Sequence, residues 1–198
     1  MGGEEPSAIR NRSSKAGSIA HLRVAGGELG GRRLSAPAGI RPTQGLVKEA
    51  IFNMLGPAVE EVTVLDLFAG AGALGIEALS RGSATATFVD DREAAVRVIR
   101  RNLNALGLGE RGSVVRSDVT RWLTTHPDKV KEASLVLLDP PYNDAILQYA
   151  LALLDALVAG GTTVVVEHAH RQRLPRLHRL QSLRQRRYGD TAVSILAP

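Results

Sequence analysis

A glycine-rich turn between an apolar run and a helical pattern constrains the fold of this chain more than any other feature. Residues 62–68 form an apolar run of the length of a buried strand, and residues 73–80 have the spacing of a helix. Gly70, Gly72 and Gly75 lie at this junction in the pattern G-x-G-x-x-G. Glycines at this spacing allow a tight turn and let a ligand approach the start of the helix closely. The unit therefore predicts a nucleotide-binding crevice at one edge of a parallel sheet.

The alternation of strands and helices continues along the chain and predicts an α/β fold. The sequence pattern predicts strands at residues 62–68, 84–89, 113–116, 135–138 and 162–167, and helices at residues 73–80, 92–106, 119–125 and 145–158. This order favours a mostly parallel sheet with helices on both faces, which is the Rossmann-like architecture. Residues 180–188 and 192–196, joined by Gly189-Asp190, predict an antiparallel hairpin that closes one edge of the sheet.

The N-terminal part of the chain differs from this pattern. Its first segment is rich in Gly, Ser, Arg and Glu and has few apolar residues to bury. Two β-like runs follow, at residues 21–25 and 32–36, and predict a hairpin; Thr43 then caps a helix that ends at Gly56-Pro57. We therefore predict a disordered basic tail, an extension made of a hairpin and a helix, and a main α/β domain, at residues 1–20, 21–57 and 58–198.

The composition favours a soluble protein with a polyanionic partner. The 198 residues carry a net charge of +5 at pH 7, and arginine is concentrated in residues 1–46 and 167–190. Basic ends of this kind suit a nucleic acid, although two solvated basic faces give the same composition. The sequence has no apolar run of the roughly 20 residues that span a membrane and no apolar secretory core near its start, so we expect a cytoplasmic location. The absence of cysteine excludes disulfides and thiolate catalysis.

Acidic residues follow the predicted strands at the positions where a nucleoside would bind. Asp90 ends the second strand, where a carboxylate can accept hydrogen bonds from ribose hydroxyls; a solvated turn residue is the alternative. Asp118 follows the third strand, and it either accepts a hydrogen bond from an adenine amine or caps the next helix. The predicted cofactor site also includes the loop residues Asp66, Phe68, Ala69, Gly70, Gly72 and Gly75.

The fourth predicted strand ends at Asp139-Pro140-Pro141-Tyr142. Two prolines hold the backbone rigid past the strand, because proline fixes φ and restricts the residue before it. The Asp139 carboxylate and the Pro140 carbonyl can accept both N–H bonds of an NH₂ group, while the Tyr142 ring stacks on the planar group that carries it. NAD would use the glycine loop and Asp90 but gives this motif no role, whereas S-adenosylmethionine uses the same loop and directs its methyl group to the fourth strand end.

Together these motifs resemble the bacterial 16S rRNA guanine-N2 methyltransferase family, within the class I S-adenosylmethionine-dependent methyltransferases. Asp-Pro-Pro-Tyr is similar to the (N/D)PP(Y/F) motif of enzymes that methylate exocyclic amines of bases. The resemblance rests on residues 23–27, 31–34, 41–43, 49–53, 64–75, 77–82, 139–142 and 186–191. The chain departs from the family at Gln44-Gly45-Leu46, where the family usually has an acidic and then a basic residue in the last two positions.

The resemblance implies a seven-stranded sheet whose last strand is antiparallel. It also implies methyl transfer from S-adenosylmethionine to the N2 amine of a guanine in 16S rRNA, either free or in a partly assembled small ribosomal subunit. The target base must be unpaired or flipped out to reach the site. We expect a monomer that needs neither a metal ion nor a membrane. The residues expected to contact RNA are Arg32, Arg33, Arg41, Thr43, Asn53, Arg186 and Arg187.

Other functions can be built on the same residues. A DNA adenine or protein glutamine N-methyltransferase uses the same tetrapeptide as an acceptor site. An NAD-dependent oxidoreductase or a non-catalytic RNA-binding protein is compatible with the glycine loop alone. The histidines lack the spacing of metal ligands, so we expect them at the surface or facing RNA, at His126, His168, His170 and His178.

Overall fold

The computed structural model of the chain describes residues 22–36, 43–141 and 144–198. The strands are β1 Thr63–Leu67, β2 Thr85–Asp90, β3 Gly112–Arg116, β4 Leu135–Leu138, β5 Thr163–Ala169, β6 Gln181–Tyr188 and β7 Thr191–Ala197. The helices are α1 Thr43–Leu55, α2 Ala73–Ser80, α3 Glu93–Leu106, α4 Val119–Thr125, α5 Pro127–Glu132 and α6 Asp144–Leu157, with a 3-10 helix at Gly56–Val59. The predicted tail at residues 1–20 lies outside the described residues.

The strands form one seven-stranded sheet in the order β3-β2-β1-β4-β5-β7-β6. Strands β1 to β5 are parallel, and β7 runs antiparallel to both β5 and β6. This arrangement confirms the predicted Rossmann-like α/β class and the antiparallel hairpin. The last strand is inserted between β5 and β6, so β6 forms the edge. The strand order reverses between β1 and β4, and ligands of such sheets bind above the carboxyl ends at this reversal.

Two apolar clusters cover the two faces of the sheet. On one face, α1, α2 and α3 pack around Ile51, Ile76 and Ile99, all of which are fully buried. On the other face, α4, α5 and α6 pack around Trp122 and Leu151. Burial of one such aliphatic side chain contributes about 1.5–3 kcal/mol. These clusters therefore fix the sheet and hold the carboxyl ends of the strands in place.

The N-terminal extension contacts α2 through its backbone. The predicted hairpin is present as a single antiparallel bridge between Arg23 and Arg33 and not as two full strands. Its turn approaches the end of α2, where Glu28 N donates to Ser80 O at 2.8 Å. Gly27 has a φ of +74°, and a Cβ atom on it would lie 1.9 Å from Ser80 O. Only glycine permits this approach, because any side chain would collide with the helix backbone.

Two short helical segments differ from the prediction. Helix α5 was not predicted, because its six residues contribute a single buried apolar side chain, Val130, and show no periodicity. Helix α1 ends at Leu55, as Gly56-Pro57 predicted, but the 3-10 helix that follows it was not predicted. Proline is tolerated there because the first turn of a helix needs no N–H from it.

His168 is buried in the sheet, and its predicted surface position was wrong. The side chain is 1% exposed, and its Nε2 atom lies 2.9 Å from the Ser194 hydroxyl. Burial lowers the pKa of His168, and the neighbouring His170 lowers it further. Within residues 22–36, 43–141 and 144–198, no group of three or more His, Cys, Asp or Glu side chains could hold a metal ion. No helix in the same ranges has the length and apolarity to cross a membrane.

Candidate active site

Three adjacent strands end at the same level on the carboxyl edge of the sheet. Leu67 of β1 pairs with Val89 of β2 on one side and with Leu138 of β4 on the other. The residues that follow these two partners are Asp90 and Asp139. Neighbouring strands lie about 4.8 Å apart, so the two acidic residues begin about 10 Å apart with the end of β1 between them. The structure thus brings the predicted ribose acid and the predicted acceptor acid to either side of the glycine loop.

The loop after β1 is held in left-handed backbone conformations. The φ angles are +60° at Phe68, +59° at Gly70 and +76° at Gly72. A non-glycine residue in this region is strained by about 1 kcal/mol or more, and such strain concentrates at binding sites. Ala69 supports the turn, because its N–H donates to Val89 O at 3.1 Å. A Cβ atom on Gly70 would meet no atom closer than 3.9 Å, which leaves space for a ligand beside the start of α2.

The third glycine of the motif is required for packing. A Cβ atom on Gly75 would lie 2.3 Å from a ring carbon of Phe88, and Gly75 N donates to the buried Asp66 carboxylate at 2.9 Å. Burial raises the pKa of Asp66 well above its usual range; the Gly75 N–H opposes this, while the carboxylates of Asp139 and Asp90 raise it further. The Asp139 and Asp90 carboxylates therefore disfavour ionisation of Asp66.

Asp90 joins the second strand to the glycine loop. Its carboxylate is 3% exposed and accepts a hydrogen bond from Gly70 N at 2.8 Å. The same carboxylate accepts two bonds from the Arg92 guanidinium at 3.0 Å, and this pairing raises the pKa of Arg92. The burial is inconsistent with a solvated turn residue. The Arg92 side chain is itself 65% exposed, and the contact of Asp90 with ribose hydroxyls stays a prediction.

Asp118 caps α4, which is one of the two roles that the sequence predicted for it. Its carboxylate accepts hydrogen bonds from Thr120 Oγ1 at 2.6 Å and from Arg121 N at 2.8 Å. These two bonds, that of Thr120 first, lower the pKa of Asp118. Asp118 follows β3, the neighbour of β2, so it lies on the side of Asp90 away from Asp139. Its contact with an adenine amine stays a prediction.

The structure describes the first three residues of the acceptor motif, Asp139, Pro140 and Pro141. Asp139 is half-buried, Pro140 is buried and Pro141 is exposed, directly after β4. The main chain thus leaves the sheet at Asp139, and the proline that follows is fixed against the body of the domain. Tyr142 lies outside the described residues, so its stacking role stays a prediction.

The predicted RNA contacts fall on separate parts of the surface. Arg32 and Arg33 are exposed on the extension, where Arg32 Nη2 donates to Ala105 O at 3.3 Å. Arg186 and Arg187 are exposed on the edge strand β6. Arg41 lies outside the described residues, as does the side chain of Thr43. The structure therefore brings arginines to two regions, the extension and the edge strand.

Asn53 lies far from the carboxyl edge. Its side chain is exposed near the end of α1 and lines an open groove of about 530 Å³ with Glu60 and Arg81. Glu60 precedes β1, so this groove lies at the amino end of the sheet. The structure does not bring Asn53 together with Asp139. The other predicted alternative for Asn53, an amide on the helix surface, agrees with this position.

Two buried polar residues that the sequence analysis did not single out connect the extension to the domain. Glu77 on α2 is fully buried and accepts hydrogen bonds from Ala25 N and Gly26 N at 2.7 and 2.8 Å. Asn102 on α3 is 2% exposed and bonds to Ser35 and to the glycine loop. The signal that could have identified them is a polar residue at a core position of a helix, because a buried polar group needs a partner.

The chain is similar to known proteins over most of its length. The family model described as Conserved hypothetical protein 95 matches residues 22–197. The Bacillus subtilis (strain 168) protein YlbH, provisionally named as an rRNA methyltransferase, is 40% identical over 179 residues, which cover 88% of this chain and 97% of YlbH. Ribosomal RNA small subunit methyltransferase D of Escherichia coli (strain K12) is 38% identical over 136 residues, which cover 68% of this chain and 67% of that protein.

A solved structure supports the same relationship. The Escherichia coli protein yhhF, provisionally described as a methyltransferase, superposes with a TM-score of 0.80 at 30% identity and covers 89% of this chain and 97% of its own. This similarity confirms the resemblance stated from the sequence. The chain therefore belongs to the Conserved hypothetical protein 95 family, with the class I methyltransferase fold.

Proposed function

We propose that this protein transfers a methyl group from S-adenosylmethionine to the exocyclic N2 amine of a guanine in small-subunit ribosomal RNA. The observation that carries the proposal is the register of the carboxyl edge, where Asp90, the glycine loop and Asp139 follow one another on β2, β1 and β4. A nucleoside bound by Asp90 and the glycine loop would leave Asp139 to bind the acceptor amine. The names of the Bacillus and Escherichia relatives support an RNA acceptor.

The residues of this chain solve a specific chemical problem. A guanine amine is a poor nucleophile, because its lone pair is delocalised into the ring. S-adenosylmethionine, when bound, supplies a methyl group on a positively charged sulfur. The Asp139 carboxylate and the Pro140 carbonyl accept the two N–H bonds and turn the nitrogen lone pair toward that methyl group. Asp139 also stabilises the positive charge that develops on nitrogen as the new N–C bond forms and the bond between the methyl group and sulfur breaks, its electrons returning to sulfur.

The described residues fit the nucleoside part of this methyl donor. The positive φ of Gly70 and the space around it allow a ligand to contact the loop backbone. Asp90 would accept hydrogen bonds from the ribose hydroxyls in place of those from Arg92, since both donor sets are bidentate. Asp118 would reach the adenine amine with the carboxylate that caps α4. Phe68 would contact the ligand from the strained end of β1.

We assign the RNA to the face of the sheet that carries α1 and the extension. Tyr188 packs against the apolar cluster on that face, so Arg186, two residues earlier on the strand, points to the same side. Gln185 Nε2 donates to the Ser194 hydroxyl at 3.2 Å on the opposite face, and Arg187 shares that side. Arg187 Nε also donates to Gly189 O at 2.7 Å, which stabilises its own hairpin turn. Arg186 is therefore the better phosphate ligand of the two.

The strand register also gives the distance from Arg186 to the acceptor site. Leu138 pairs with Val166, Val166 with Ser194, and Ser194 with Gln185. Asp139 comes one residue after Leu138, and Arg186 comes one residue after Gln185. Three strand spacings, about 14 Å, therefore separate Asp139 from Arg186. This separation suits a phosphate near the target nucleotide. It supports assigning the edge strand to RNA binding; we assign residues 21–57 to the same role because Arg32 and Arg33 are exposed there, and the remainder of residues 58–198 to catalysis.

The experiment that tests the proposal compares acceptors and one carboxylate pair. Labelled S-adenosylmethionine is offered to the purified protein with small-subunit RNA, partly assembled small subunits, DNA and protein, and the product is identified by mass spectrometry. We expect N2-methylguanine in small-subunit RNA. Asp139→Ala should lower the rate at least 100-fold, as for the loss of one transition-state contact, with S-adenosylhomocysteine binding retained. Asp128→Ala, at an exposed aspartate on α5, is the matched control.

Two results would overturn the proposal. One is undiminished methylation of guanine by the Asp139→Ala protein, which would remove the acceptor role from this carboxylate. The other is a product on adenine or glutamine with none on guanine, which would leave the fold and the donor unchanged but assign a different acceptor.

A further inference from the structure

The Asn102 side chain uses all of its hydrogen-bonding groups inside the protein. Its Oδ1 atom accepts a bond from Ser35 N at 2.8 Å. Its Nδ2 atom donates to Ser35 O at 2.9 Å and to Ala71 O at 3.0 Å. The amide is 2% exposed, so water cannot replace these partners. Burying an amide at a core position of α3 costs more free energy than burying an apolar side chain, unless hydrogen bonds compensate for it. The amide is therefore explained by the bonds that it makes.

The two partners belong to the two parts of the molecule that bind different ligands under the proposed function. Ser35 is on the extension, three residues after Arg32 and two after Arg33. Ala71 stands between Gly70 and Gly72, and its carbonyl orientation is linked to the left-handed conformations on either side of it. One rigid amide therefore connects the backbone of the extension to the backbone of the cofactor loop.

We infer that Asn102 is a positioning residue that couples RNA binding on the extension to donor binding on the glycine loop. The inference rests on the proposed function. RNA that fixes the extension fixes Ser35, and through Asn102 it holds Ala71 O and the loop in the conformation that accepts the nucleoside. Coupling of this kind is reciprocal, so the donor analogue tightens RNA binding by the same factor by which RNA tightens analogue binding.

The test uses binding and not turnover. The Kd of S-adenosylhomocysteine is measured by calorimetry with and without a small-subunit RNA fragment, for the wild type, Asn102→Ala, Asn102→Asp and Asn104→Ala. Loss of one hydrogen bond of about 1.4 kcal/mol corresponds to about a tenfold rise in Kd, which we expect for both Asn102 variants. The ratio of the Kd measured without RNA to the Kd measured with RNA should fall to near 1 in both Asn102 variants.

The variants distinguish a positioning role from a structural one. Asn102→Asp keeps an acceptor for Ser35 N but presents oxygen to the two carbonyls, so it should lose coupling as Asn102→Ala does. Asn104→Ala removes an exposed amide from the same helix and should behave as the wild type. Wild-type protein provides a further measurement that needs no variant to fold. RNA alone should slow amide hydrogen exchange in residues 69–72.

Each result has a defined consequence. Unchanged exchange in residues 69–72 on RNA binding would overturn the coupling, as would a folded Asn102→Ala protein that keeps the wild-type ratio of Kd values. Wild-type protein that binds neither S-adenosylhomocysteine nor RNA would instead overturn the proposed function itself.

Discussion

Replacement of Glu77 by glutamine should destabilise the protein more than its isosteric shape suggests. Glu77 is fully buried, and its two oxygens accept four donors. Oε1 accepts Gly26 N and Arg81 Nε, both at 2.8 Å, while Oε2 accepts Ala25 N at 2.7 Å and the Lys48 ammonium. In Glu77→Gln an NH₂ group replaces one of these oxygens. Two donors then face another donor, and both Lys48 and Arg81 lose their charged partner, because glutamine is neutral.

The magnitude follows from the burial of Lys48. Its side chain is 3% exposed, and burial lowers the pKa of Lys48 in spite of its pairing with Glu77. The ammonium is thus already costly to bury. Breaking a buried ion pair on one side costs about 3–5 kcal/mol, a large part of the roughly 5–15 kcal/mol that stabilises a domain. We expect Glu77→Gln to lower the free energy of unfolding by about 3–5 kcal/mol. The double variant Lys48→Met/Glu77→Gln should recover part of this loss.

The assay is urea unfolding at several pH values. Burial raises the pKa of Glu77, but the bonds from Ala25 N, Lys48 and Arg81 outweigh it and hold the pKa below its usual range. Its stabilising contribution is therefore complete above the unfolded pKa, about 4.3, and is lost as the pH falls through the folded pKa. The difference between wild type and Glu77→Gln should shrink in acid. Glu93→Gln, at an exposed pair with Arg97, should change stability by less than about 0.5 kcal/mol.

The reasoning would be refuted by a Glu77→Gln protein that loses less than about 1 kcal/mol at neutral pH, the value of one ordinary hydrogen bond. It would also be refuted if trypsin cleaved the extension no faster in the variant. Glu77 carries two of the backbone bonds that attach the extension, so cleavage there should accelerate before the whole domain unfolds.

Three further predictions concern the crevice and its rim. Gly75→Ala places a Cβ atom 2.3 Å from an aromatic ring carbon. It should lower the free energy of unfolding, measured by thermal denaturation, by about 1–3 kcal/mol and weaken S-adenosylhomocysteine binding. Gly160→Ala is its control, because a Cβ atom there would meet no atom within 4 Å. Asp66→Asn should raise the melting temperature at pH 7, because the raised pKa of Asp66 makes its ionisation destabilising above the unfolded value of about 3.9, and this gain should vanish toward acid pH. Arg186→Ala should weaken RNA binding and reduce the salt slope by about 1, whereas Arg187→Ala should leave the slope unchanged in the same titration.

The fold was largely predictable because its elements follow from local periodicity. The bounds of α2, α4 and β4 match the predicted residues 73–80, 119–125 and 135–138. Features determined by contacts distant in sequence were less accessible. The extension forms one bridge instead of two full strands, because Val24 N and Leu34 N bond across the hairpin whereas the donors of Ala25 and Gly26 bond to Glu77 of α2. No local pattern in residues 21–36 carries that information.

The candidate site was predictable where a residue follows a strand. Asp90 and Asp139 were identified for this reason, and the register places them on either side of β1. The pairing of Asp90 with Arg92 was not predicted, since an exposed arginine after a strand has no distinctive pattern. Glu77 and Asn102 were missed because their burial depends on how the extension covers two helices. A helix pattern alone shows only that a polar residue interrupts the apolar face.

The arrangement of charge gives the crevice and its rim opposite roles under the proposed function. Asp90 and Asp139 flank the glycine loop, and ionised carboxylates at these positions would favour a methyl donor that carries a positive charge. The same field repels phosphates, so the RNA backbone cannot follow its base into the site. The arginines of the extension and Arg186 on the edge strand are exposed, and in the proposed function they would hold phosphates at a distance from the acids. An uncharged base would cross that distance by leaving its stack, so this charge pattern would favour a flipped or unpaired base over a paired one.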